Sequence, residues 1–144
     1  MRFWLDCEWN DWGGELISIA LVAEDNSHFY GILPCTNLNP TQWVNENVLS
    51  VIALNDPTWY AYKSELQRDL AVYLRRDEYC HIAADWPEDI QHFCTLLING
   101  PGTKVCTPPL SFVILNNVSY ISEIPHNALS DAIALRIADN KYKT

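Results

Sequence analysis

Hydrophobic and polar positions alternate along Arg2-Phe3-Trp4-Leu5-Asp6-Cys7-Glu8-Trp9, which predicts a β-strand. Phe3, Leu5, Cys7 and Trp9 share one face, and Asp6 and Glu8 share the other, one pleat apart. Asn10 to Gly14 is a turn, and its glycines permit the positive φ that a hairpin needs. Glu15 to Ala23 is almost continuously apolar and predicts a central strand buried on both faces. A turn over residues 24–27 leads into a third strand, His28 to Leu33, ended by Pro34. Short turns join the three strands into an antiparallel meander.

Helical spacing dominates from there on. Trp43, Val44 and Val48 predict a short helix over Thr41 to Leu49. Ser50 to Tyr62 starts β-branched and is then broken by Asn55-Asp56-Pro57. Ser64-Glu65-Leu66-Gln67 resembles a capping box and opens a helix to about Arg76. Its apolar stripe is Leu66, Leu70, Val72, Tyr73 and Leu74, with Arg68, Arg75 and Arg76 outside. Tyr79 to Ala84 reads as a fourth strand. Pro87 suits a first helical turn, and Ile90, Phe93, Cys94 and Leu97 mark the core stripe of the helix that follows. Asn99-Gly100-Pro101-Gly102 stops it. Leu110 to Leu115 is a fifth strand, and Ala128 to Ala138 a closing helix with Leu129, Ile133 and Ile137 on one face.

Strands that alternate with helices after a meander predict an α/β fold, a mixed sheet with helices packed on it. The ribonuclease H-like fold has this order of three antiparallel strands plus two further strands; other mixed α/β folds share parts of it. No repeat or linker divides residues 1–144, so one domain is expected.

Composition narrows the function classes. A hydrophobic fraction of 49% with six tryptophans predicts a folded globule. No run of 18 apolar residues exists, so no membrane span is expected. The N-terminus reads as a strand rather than a signal peptide, and five scattered cysteines without a C-x-x-C pair suit reduced thiols, so a cytoplasmic protein is expected. Asn117-Val118-Ser119 matches a glycosylation acceptor by chance on that reading. The net charge of −9 argues against avid binding of long nucleic acid, whose affinity comes mostly from phosphate neutralisation. It leaves open a substrate gripped through metal ions; simple solubility is the plainer account of the acidity.

Three stretches carry candidate chemistry. Asp6 and Glu8 repel each other in an otherwise apolar strand, and hard divalent cations such as Mg²⁺ or Mn²⁺ would offset that cost. An edge strand with a wet face would also explain them. Asp85-Trp86-Pro87-Glu88-Asp89 places acids where the fourth strand meets a helix, where sites of open α/β sheets gather. Asp85 and Glu88 also suit a helix N-terminus, whereas Asp89 shares the sheet-facing side with Phe93 and fits that account less well. His126 and Asp131 would lie about 140° apart on one helix, so a shared site requires His126 in the preceding loop. Asn127 is a suitable cap for that arrangement, and a loop histidine can take a proton from water near neutral pH.

These stretches resemble the three motifs of the DEDDh exonuclease family: Asp6-x-Glu8, the Asp89 segment and His126-x4-Asp131. Within that family the chain more closely resembles a group of small bacterial 3′–5′ exoribonucleases of the mycobacterial type. Asp6-Cys7-Glu8 running into Glu15-Leu16-Ile17-Ser18-Ile19, and His126-Asn127-Ala128-Leu129-Ser130-Asp131-Ala132, carry the likeness, which spans most of residues 1–138. The middle motif departs from the family's usual N-A-x-F-D. It puts the catalytic aspartate at Asp89 and Asp85 in the asparagine position, and Asp85 stays a rival for the ligand. Residues 40–64 match poorly.

The resemblance implies that Asp6, Glu8, Asp89 and Asp131 hold two Mg²⁺ or Mn²⁺ ions, with His126 as general base. It implies release of nucleoside 5′-monophosphates from RNA 3′ ends or short oligonucleotides, and a homodimer. Trp9, Trp12 and Trp86 flank the acids and could stack on terminal bases, with Asp85 beside them; ordinary core or surface aromatics are the alternative. Two other readings share the acids: a ribonuclease H-like nucleic-acid-binding or adaptor protein with little turnover, and a phosphodiesterase for a small nucleotide.

Overall fold

The computed structural model describes residues 1–35, 38–52 and 60–141. A five-stranded mixed sheet of order β3-β2-β1-β4-β7 forms the middle layer. Strands β1 (Arg2–Trp9), β2 (Leu16–Ala23) and β3 (His28–Ile32) are the antiparallel meander, within one residue of the expected ends. Strands β4 (Cys80–Ala84) and β7 (Leu110–Ile114) add in parallel on the other side of β1. The sheet thus puts the C-terminal ends of β1 and β4 side by side. In the turn after β1, the left-handed residues are Asp11 and Gly13 (φ 60° and 70°). Gly14 serves a different purpose: a Cβ there would collide with the Asn10 carbonyl.

Helices α3 (Lys63–Leu74) and α4 (Pro87–Leu96) cover one face of the sheet. Leu66, Leu70, Leu74, Phe93 and Leu96 pack there against Phe3, Leu5, Cys7 and Ile82. The first turn of α3 is tied at Tyr62, whose N–H donates to Glu65 Oε2 at 2.9 Å; Ser64 lies inside the helix and is not the cap. Val72 and Cys94 were expected on the core stripes, but both are exposed. Beyond α4 the Asn-Gly-Pro-Gly stretch does more than stop the helix. It turns a small hairpin of β5 (Ile98–Gly100) and β6 (Thr103–Lys104).

The other face is covered by α5 (Ala128–Lys141) and a helical segment in which α1 (Gln42–Val44), a π-helical turn (Asn45–Leu49) and α2 (Ser50–Ile52) run on from one another. Val51 and Ile52, at the β-branched start of residues 50–62, are therefore helical; the Asn55-Asp56-Pro57 break lies outside the described residues. The expected facing of α5 is corrected. Ile133 and Ile137 are exposed, and Ala128, Ala132 and Leu135 are fully buried against the sheet. Small side chains let this helix lie close to β1 and β2. The close approach matters because Trp4, Asp6 and Glu8 project from β1 on this side. Trp4 Nε1 and Arg2 Nη2 both reach Asp139 Oδ2 of α5 at 2.9 Å, which anchors the far end of the helix to the strand. Among the described residues, no helix is long and apolar enough to cross a membrane.

Candidate metal centre

Three elements bring the acids together. Strand β1 supplies Asp6 and Glu8 from the face opposite Phe3, Leu5 and Cys7, as alternation requires. The junction of β4 and α4 supplies Asp85 and Asp89. The loop before α5 and its first turn supply His126 and Asp131. Carboxylate oxygens of Asp6, Asp85 and Asp89 lie within 4.8 Å of one another, and so do the donor atoms of Glu8, His126 and Asp131.

Each placement has a local cause. Asp89 is 2% exposed, and its Oδ1 accepts the Cys7 N–H at 2.9 Å, which pins the start of α4 to β1. The N-cap position of α4 is Trp86, so Asp85 does not cap the helix but joins Asp6 and Asp89. Asn127 caps α5 as expected: its Oδ1 accepts the Ser130 N–H at 3.0 Å, while its amide donates to the Tyr30 hydroxyl. The loop before α5 places His126 in the left-handed region (φ 62°), and its N–H donates to Asp131 Oδ2 at 3.0 Å. Histidine and aspartate therefore meet from loop and helix.

The electrostatics are those of an unpaid cluster of like charges. Burial, then the charges of Asp89, Glu8, Asp131 and Asp85, holds the Asp6 carboxyl well above its usual range. Burial and the nearby Asp131 and Asp89 push Glu8 up to about 8. Asp89 rises to about 8 chiefly through burial, despite the Cys7 N–H, and Asp131 is raised for the same first reason. Two carboxylate oxygens of the cluster, Asp6 Oδ2 and Asp131 Oδ1, are buried without a hydrogen-bond partner, as is the Ser18 hydroxyl on β2. Orphaned acceptors of this kind, aimed into an oxygen-rich cluster, fit hard divalent cations. Asp6, Glu8, Asp85, Asp89 and Asp131, with His126 beside them, are the residues that could hold such ions.

The tryptophans divide. Trp9 and Trp12 line a hollow of about 320 Å³ with Glu8, Asp11, Trp43 and Glu88. Trp9 also packs on the His92 ring at 4.9 Å. Trp86 is largely exposed, with its indole N–H donated to Glu88 Oε2 at 2.9 Å, and it does not line that hollow. Two neighbours of the centre were not foreseen. The Trp43 ring meets the His126 ring at 4.9 Å, and Tyr120 lies near enough to Asp6, Asp85 and Asp131 for their charges to raise its phenol, after burial. Both come from segments whose sequence shows only ordinary aromatic residues. No family model matches this chain, and no curated protein matches it significantly.

Proposed function

We propose that this chain is a metal-dependent 3′–5′ exonuclease of the DEDDh type with a ribonuclease H-like fold, acting on RNA 3′ ends or short oligonucleotides. The observation that carries the reading is the meeting of motif acids from three sequence-distant segments, two of the acids with orphaned buried oxygens, beside a loop histidine. The strand order β3-β2-β1-β4-β7, with β1 antiparallel to β2 and parallel to β4, agrees with that fold.

Asp6, Glu8, Asp89 and Asp131 would hold two Mg²⁺ or Mn²⁺ ions, and Asp85 adds a further carboxylate on the Asp6 and Asp89 side. Such ions supply positive charge against the phosphodiester oxygens and make water a better nucleophile at neutral pH. The acids orient the scissile phosphate by fixing where that positive charge sits. His126 accepts a proton from the attacking water through a ring nitrogen, and the Asp131 carboxylate beside it stabilises the imidazolium that results. The left-handed loop holds the imidazole beside Glu8 and Asp131. Trp9 and Trp12 offer flat surfaces next to Glu8 on which terminal bases would stack.

The test is a 5′-labelled oligoribonucleotide incubated with the protein and Mn²⁺. The expected result is stepwise shortening from the 3′ end with release of nucleoside 5′-monophosphates, abolished in Asp6→Ala and slowed about 10²-fold or more in His126→Ala. Internal cleavage, or wild-type protein that binds metal and RNA but releases nothing, would overturn the proposal; the second outcome would favour an adaptor role.

A further inference from the structure

We infer that Trp43 is a positioning residue for His126: its ring sets the orientation of the imidazole over Glu8 and Asp131. The inference rests on the exonuclease reading above for its kinetic consequence, and on geometry for its structural one. Trp43 lies in residues 40–64, the stretch that matches poorly in the motif resemblance.

The histidine backbone is already fixed. Its φ of 62° is an uncommon conformation for a residue with a Cβ, held by the His126 N–H on Asp131 Oδ2 and by the Asn127 N–H on the Ile124 carbonyl at 3.2 Å. That leaves the two side-chain torsions to be decided. The Trp43 ring meets the imidazole edge-on, with centroids 4.9 Å apart and planes at 77°. Such an edge-to-face pair is a preferred aromatic arrangement, and it restricts both torsions.

Trp43 is itself held firmly, which a positioning group must be. Asn10, just past the end of β1, clamps the chain in front of it: the Asn10 amide donates to the Asn39 carbonyl at 2.9 Å, and its Oδ1 accepts the Thr41 N–H at 3.1 Å. Thr41 Oγ1 then caps the helix by accepting the Val44 N–H at 3.2 Å. Val44, the next residue, is completely buried among Val48, Ala128 and Ala132. A chain of contacts therefore runs from β1, which carries Glu8, through Asn10 and Thr41 to Trp43 and on to His126. The indole remains 52% exposed, and its other side lines the hollow with Glu8, Trp9 and Trp12. Substitution there should leave the core intact.

The test combines a spectrum with a kinetic cycle. In metal-free protein, the His126 ring-proton resonances, assigned with His126→Gln, should move in Trp43→Leu, which removes the ring, and move less in Trp43→Phe. With Mn²⁺ and an oligoribonucleotide, Trp43→Leu should lower kcat about 10-fold or more, Trp43→Phe should restore most of it, and the Trp43→Leu/His126→Ala double variant should be no slower than His126→Ala alone. Unmoved resonances in a folded Trp43→Leu protein would overturn the inference, as would a double variant with the full additive loss. If wild-type protein degrades nothing, the exonuclease reading fails, and the resonances alone decide whether the ring orients the imidazole.

Discussion

Replacing Asp6 with asparagine changes one atom's chemistry and almost no volume, so it isolates the charge in the cluster. Asp6 is 8% exposed, and its Oδ2 has no partner. Its oxygens lie within 4.8 Å of those of Asp85 and Asp89. At an effective dielectric of about 20, two full charges at that outer separation repel by about 3.5 kcal/mol. Partial protonation of the cluster near neutral pH reduces the realised penalty, and an asparagine N–H can donate to a neighbouring carboxylate. Asp6→Asn should therefore stabilise the metal-free protein by about 1–3 kcal/mol, a rise in Tm of roughly 3–10 °C for a chain of this size. The assay is thermal unfolding at pH 7.5 in EDTA and again with excess Mn²⁺. Wild type should gain stability with the cation, about 2.7 kcal/mol at a hundredfold excess over Kd, and the variant should lose most of that gain. At pH 5 the gap between the metal-free proteins should narrow, because the cost of keeping the raised Asp6 carboxyl protonated grows with pH from its ordinary value of 3.8 upward. A metal-free variant that melts below wild type, or an equal Mn²⁺ gain in both proteins, would show that the Asp6 charge neither strains the fold nor binds the cation.

Other outcomes follow from the same geometry. Glu8 and Asp89 keep their protons up to about pH 8 in the folded chain, against ordinary values of 4.5 and 3.8, so the native state binds protons that the unfolded chain has released. Stability of metal-free protein should hence fall as pH rises from about 4 to 8 and level off above; a urea midpoint in EDTA that climbs with pH would contradict this. Asn127→Ala removes both the α5 cap and the hydrogen bond to Tyr30, and should lower stability by about 1–2 kcal/mol in urea unfolding; a loss within error would show that the cap is not needed. Ala132→Leu should overpack the α5–sheet interface and cost about 1–3 kcal/mol, whereas Ile133→Ser should cost about 0.5 kcal/mol or less; the reverse order would mean that α5 faces the other way.

The meander was readable because its patterns are local and strict. Alternation in β1 separates acids from core residues, and the apolar run of β2 leaves no wet face, as its burial from Ile17 to Ala23 shows. The loop position of His126 follows from angular geometry once a site shared with Asp131 is required, and the cap at Asn127 follows from its residue type. What failed depended on partners. Leu129, Ile133 and Ile137 look like the inner stripe of α5 because large apolar residues dominate a periodicity, but of the three only Leu129 packs against the core. The sheet beneath carries Trp4 and the acids, and close packing selects Ala128 and Ala132 instead. Val72 and Cys94 were misplaced by the same preference for apolar type over fit. The hairpin of β5 and β6 was hidden because Asn-Gly-Pro-Gly signals both a helix stop and a turn. The carboxylates could be named from their cost in apolar surroundings. Trp43 and Tyr120 could not, since nothing local in a sequence says that an aromatic residue will arrive beside a distant acid.

On the proposed reading, Asp6, Glu8, Asp89 and Asp131 would together hold a pair of divalent cations. Crystals soaked in Mn²⁺ and measured at a wavelength where manganese scatters anomalously test it most directly. Two anomalous peaks are expected within the cluster, one bordered by Asp6 and Asp89 and the other by Glu8 and Asp131. Ordered carboxylates with no peak between them at saturating Mn²⁺, or peaks confined to other parts of the surface, would contradict it.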